Sequence, residues 1–76
     1  MKRSVPRTRG RPRVRAGRAI RQARLDYDVS ASELAAALGV STEAVLAWER
    51  GSTGLRLGRL RQIAVALGVP LEHLLG

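Results

Sequence analysis

The chain contains no cysteine, which excludes a disulfide framework and a thiolate metal site. It has one histidine, His73, so no histidine ligand cluster can form, and on the last stretch of the chain that residue reads as a surface one. No apolar run approaches the roughly 20 residues that a membrane span needs. The basic start is never followed by the apolar stretch of a secretory signal. Ser30, Ser32 and Ser41 have no base beside them in sequence and read as helix-start residues rather than nucleophiles. The glycines match no phosphate-binding loop with its lysine. These absences leave no support for an enzyme, a metal site or a cofactor, and the expectation is a soluble cytoplasmic protein without membrane contact.

Acidic residues are missing altogether from the first fifteen positions, and there the charge is concentrated. Of the formal +8, residues 1–15 carry +7 through Lys2, Arg3, Arg7, Arg9, Arg11, Arg13 and Arg15, which leaves +1 for the rest. Pro6, Gly10 and Pro12 among mutually repelling charges predict a disordered arm over residues 1–15. A cationic arm on a nearly neutral domain points to a polyanion, because neutralising phosphates releases counterions and yields salt-dependent affinity. Without the apolar face of an interfacial helix, the arm fits nucleic acid better than membrane. Its Arg9-Gly10-Arg11-Pro12, flanked by Arg7 and Arg13, resembles the core of an AT-hook, which lies in the narrow minor groove of A·T-rich DNA. Generic phosphate binding and RNA binding explain the same charge, and both stay open.

The remaining chain, 16–76, has room for one small domain, and a chain of 76 residues buries only about 60% of the surface that its unfolded form exposes. Its organising stretch runs from Ala31 to Arg50. Ser30 and Glu33 have the spacing of a capping box, so a helix should begin there. Leu34, Ala35 and Leu38 form a narrow apolar stripe that stops at Gly39, the residue type that accepts positive φ at no steric cost. After Val40, Ser41 caps a second helix with Val45 and Trp48 on its inner face and Gly51 at its end. Small Ala35, turning Gly39 and plugging Val45 together specify a helix-turn-helix.

On these residues the chain resembles the phage-repressor and Cro family of helix-turn-helix domains, also called the xenobiotic-response-element family. The resemblance is carried by Ser-Glu-Leu-Ala-Ala-Ala-Leu-Gly-Val-Ser, Val-Leu-Ala-Trp-Glu-Arg-Gly and Leu-Arg-Gln-Ile-Ala-Val-Ala-Leu-Gly-Val, and spans roughly residues 16 to 76. It implies an all-α compact five-helix bundle that binds double-stranded DNA as a transcription regulator, with the second motif helix in the major groove. It also implies an internal ion pair between Arg24 and Glu49. Asp28 stands where many relatives have a helix-ending glycine, so strain is expected there.

Other elements follow from periodicity. Ala16, Ala19, Ile20, Ala23, Arg24 and Tyr27 suggest a first helix over 16–27, and Leu57, Leu60, Ile63, Ala64 and Leu67 a fourth that Gly68 closes. Pro70 suits the first turn of a short fifth helix with Leu71, Leu74 and Leu75. The expected core is Ile20, Leu34, Ala35, Leu38, Val40, Val45, Trp48, Leu60, Ile63, Leu67, Leu71 and Leu74. Relatives often carry Pro near Leu55 and Ser near Arg56 or Pro70, so a looser loop and a poorly capped last helix are expected.

With Val45 and Trp48 inside, the outward positions that could read bases are Thr42, Glu43, Leu46 and Ala47. In the resembled family the residue matching Ala44 also contacts bases, and the one matching Ala31 is usually a backbone-binding glutamine. This face has no Arg, Asn or Gln for bidentate base contacts, so sequence reading should be weak. Glu43 could accept from a cytosine amino group, or simply complement the helix dipole. Phosphate contacts are expected from Ser32, Ser41, Arg50, Arg56 and Arg59 and from helix-start amides. Two alternatives to DNA regulation remain: a protein-interaction module of the same fold, antitoxin-like or coactivator-like, that recruits a partner through Leu46 and Ala47, and RNA binding through the arm. The resemblance further implies homodimers formed by 51–57 and 71–75, with Leu55 and Leu75 supplying contacts.

Overall fold

The computed structural model describes residues 16–75, which form five helices. α1 spans Gly17–Asp26, α2 Ala31–Leu38, α3 Thr42–Arg50, α4 Leu57–Leu67 and α5 Leu71–Leu75. The first helix is thus one residue shorter at each end than its periodicity suggested, because Ala16 is its cap and Tyr27 lies past its last turn.

Local chemistry sets the boundaries of the central pair. The Ser30 hydroxyl accepts from the Glu33 amide at 3.0 Å while the Glu33 carboxylate accepts from the Ser30 amide at 2.7 Å. This reciprocal pair satisfies two of the amides that a helix start leaves unpaired. Its hydrogen bonds hold the Glu33 carboxyl below the usual glutamate range. At the other end, Gly39 has φ +73°, and the Val40 amide reaches back to the Ala35 carbonyl at 3.0 Å. That left-handed closure turns the chain in a single residue, and Ser41 then caps α3 by accepting from the Ala44 amide at 3.1 Å. Equivalent backbone bonds from Ser52 to Ala47 and from Val69 to Ala64 close α3 and α4.

Packing converts these pieces into a bundle. α3 lies against α2 and α1, α2 also against α4, and α5 bridges α4 and α1. Ile20, Leu34, Val45, Leu60, Ile63 and Leu74 are the largest fully buried side chains, one or more from every helix. The expected core is corrected in detail: Leu38, Val40 and Leu71 are only half-buried against it, whereas Ala16, Leu55, Ala64 and Val69 belong inside. Tyr27 and Leu57, both placed on apolar stripes by spacing, are exposed because each stands where its helix begins or ends and the stripe has already turned off the core. Asp28 has φ 56°, which confirms the expected left-handed strain at the end of α1.

Candidate nucleic-acid interface

The candidate surface is the outer edge of α3, and three separate attachments fix it. The first is the corner itself: Ala35, 2% exposed, lies in α2 at its packing with α3, and Val45, 0% exposed, fills the core from α3.

The second is the ion pair. The Arg24 Nε donates to Glu49 Oε2 at 2.7 Å and its Nη2 to Oε1 at 2.9 Å, a fork that fixes both groups in one plane. Nη1 donates to the Val29 carbonyl at 3.0 Å, so one guanidinium joins α1, the α1–α2 loop and the last turn of α3. The two side chains are 10% and 6% exposed. The hydrogen bond to the Glu49 carboxylate raises the Arg24 pKa further, against the effect of its burial. The pairing of Arg24 with Glu49 that the resemblance implied is present in the structure.

Gly17 makes the third attachment, which the sequence reading missed. A Cβ placed on it would collide with the Trp48 carbonyl oxygen and lie 2.6 Å from that of Glu49. The first turn of α1 therefore rests directly on the C-terminal backbone of α3, an approach that only glycine permits. The visible signal was a row of small residues, Ala16, Gly17 and Ala19, beside the arm.

These attachments leave the outer edge of α3 accessible among the described residues. Glu43 and Arg50 are exposed, and Thr42, Leu46 and Ala47 are half-buried but accessible along the same edge. Ala44, half-buried like Ala47, packs against the core. Ser32 and Ser41 are exposed at the starts of α2 and α3; the Ser32 hydroxyl lies 3.2 Å from that of Ser30, and the Ser41 hydroxyl accepts the cap bond. Arg56 is exposed at the cap position of α4 and makes no side-chain cap bond, in keeping with the missing serine. Arg59 lies with its Cζ 5.5 Å from the centroid of the Trp48 ring. Leu55 is corrected from a dimer contact to a core residue, 3% exposed, since the loop after α3 folds inward; Leu75 remains 49% exposed. The arm residues Arg7, Arg9, Gly10, Arg11, Pro12 and Arg13 lie outside the described residues.

Among the described residues, no group of three His, Asp or Glu side chains is arranged to hold a metal ion, and no helix is long and apolar enough to cross a membrane. Five helices with a capped, glycine-turned pair and a free outer edge on the second define a helix-turn-helix domain of the DNA-binding, transcription-regulating kind. The chain belongs to the helix-turn-helix family HTH_3, of Cro and C1 type, which matches residues 20–74. No curated protein matches the sequence. Among solved structures, the chain is similar to the clp gene regulator ClgR from C. glutamicum, with 33% identity, TM-score 0.77 and coverage of 84% of this chain and 86% of that one. It is also similar to the restriction-modification controller protein C.AhdI from Aeromonas hydrophila, at 28% identity and TM-score 0.74, over 80% of this chain and 88% of the other. The hypothetical transcription factor NHTF from Neisseria shares 31% identity at TM-score 0.73, with 96% and 87% covered.

Proposed function

We propose that the protein regulates transcription by placing the Thr42–Ala47 edge of α3 in the major groove of duplex DNA while arginines grip the flanking phosphates. The supporting observation is that this edge stays accessible among the described residues although α3 is fixed on its other side by Val45, Trp48 and the Arg24–Glu49 fork. Thr42 can bond to base edges, Glu43 can accept from a cytosine amino group and Ala47 can meet a thymine methyl. No side chain there makes a bidentate base contact, so affinity comes mainly from charge. Arg50, Arg56 and Arg59, with amides at the starts of α2 and α4, supply it from the domain. Residues 2–15 supply the rest, on phosphates or in an A·T-rich minor groove, and retain the protein on the nucleoid.

The reading as a partner-recruiting module rests on Leu46 alone, which is half-buried on the same edge, and no second observation favours it. Two copies could pair through α5, where Leu75 is exposed, and then face half-sites about 34 Å apart. A salt titration of duplex binding tests the central claim. A steep fall of log K with log[salt], together with weaker binding when Thr42 and Glu43 are replaced by Ala, is the expected result. Flat salt dependence would refute it.

A further inference from the structure

We infer that Trp48 is a positioning residue for DNA binding: its ring holds the Arg59 guanidinium ready for a phosphate, so that the inner face of the recognition helix organises a contact made by the next helix. This rests on the phosphate role proposed for Arg59.

Trp48 is 8% exposed and its body fills the core, so a base cannot stack on it. What it does carry is a cation. Arg59 Cζ lies 5.5 Å from the ring centroid, within the range in which an indole quadrupole attracts a guanidinium. Arg59 Nη1 also donates to Gln62 Oε1 at 3.0 Å. These two contacts restrain a side chain that otherwise keeps many rotamers, yet they use one of its five N–H donors and leave its charge unneutralised. Among the described residues the ion pair is Arg24 with Glu49, and none is made by Arg59.

The placement also runs against local helix chemistry. Arg59 stands in the first turn of α4, Arg56 at its cap, and that turn has neither an acid nor a side-chain cap bond. Positive charge is disfavoured at a helix start, where acids complement the dipole. A fold selected for stability alone would place an acid here, which would pair with Arg59 and remove its use to a polyanion. The arrangement instead keeps a restrained, half-exposed cation against Trp48 in the last turn of α3. An arginine that is already ordered loses less conformational freedom when it meets a phosphate.

The experiment uses the full chain and a labelled duplex of mixed sequence, titrated over a range of salt by fluorescence anisotropy. Arg59→Ala should weaken binding and reduce the salt slope by about 0.9, as one fewer phosphate is neutralised. Trp48→Leu should weaken binding about two- to fivefold at unchanged slope, and should have no further effect in the Arg59→Ala background. Gln62→Ala, at an exposed position that leaves the core intact, should weaken binding in the same Arg59-dependent way and keeps the test open if Trp48→Leu fails to fold. Since Trp48 is the sole tryptophan, its emission reports the contact directly and should change on Arg59→Ala and on adding duplex. Equal losses from Trp48→Leu and Gln62→Ala with and without Arg59 would overturn the inference, as would Arg59→Ala leaving a steep wild-type slope untouched. In both cases the regulator reading would survive. Absent salt dependence in the wild-type protein would instead remove that reading, and the inference with it.

Discussion

Glu33 shows how much one side chain can be asked to do. Its carboxylate accepts the Ser30 amide, and its own amide donates to the Ser30 hydroxyl, so the charged form is stabilised and the pKa lies below the usual glutamate range. A carboxyl with a lowered folded-state pKa contributes stability that is complete above its unfolded pKa and is lost as pH falls through the folded value. Glu33→Gln keeps the shape but removes the titration. The expected outcome is a melting temperature below that of the parent at neutral pH, with the gap closing as the pH is taken below about 4. Thermal melts of the two proteins over an acidic pH series check this, and a gap independent of pH would contradict it. Ser30, Glu33 and Gly39 were legible because capping and left-handed closure depend on a few neighbouring residues. The left-handed φ of 56° at Asp28, by contrast, was expected only through the resemblance, because many relatives carry a helix-ending glycine there.

At the scale of elements, the attachment of α1 to α3 decides whether the recognition helix has a fixed orientation. Gly17 and the Arg24–Glu49 fork hold the two helices at adjacent points, one by contact between backbones and the other by charge. Gly17→Ala raises intrinsic helix propensity, which alone would stabilise the protein. The added methyl would nevertheless fall 2.6 Å from the Glu49 carbonyl oxygen and nearer still to that of Trp48, and backbone cannot swing aside as a flexible side chain can. Net destabilisation of about 1–3 kcal/mol is expected by urea unfolding; a stabilised variant would show that the helices are not in such contact. Glu49→Ala leaves the Arg24 guanidinium buried without its carboxylate and should cost about 3 kcal/mol, whereas replacing both residues by Met should recover most of that loss. Denaturant curves for Glu49→Ala and for the double variant with Met at positions 24 and 49 check this. Helix periodicity located Arg24 on the apolar side but could not show what it met, and the partner came from resemblance. Leu55 illustrates the converse: a lone leucine in a glycine-flanked loop has no period, so its burial depends on how the loop is drawn in between helices.

For the whole molecule, the uneven charge matters more than its total. The domain beyond residue 15 is nearly neutral, so removing residues 1–14 takes away most of the net positive charge while leaving every described helix intact. Duplex affinity should then fall strongly at low salt, and the slope of log K against log[salt] should flatten, by about 0.9 for every phosphate that the arm no longer neutralises. Anisotropy titrations of full-length and truncated protein check the expectation, and unchanged low-salt affinity would dismiss the arm. The same scale separates what each source of information decided. By itself the sequence determined the boundaries of α2 and α3, the corner between them and the concentration of charge in residues 1–15, since caps, turns and charge runs are written in residues close together along the chain. Only the tertiary structure decided that Gly17 lies under α3, that Leu55 and Val69 are core and that Arg59 rests on Trp48. These are meetings of segments distant in sequence, and which atoms approach depends on how five helices share one small core.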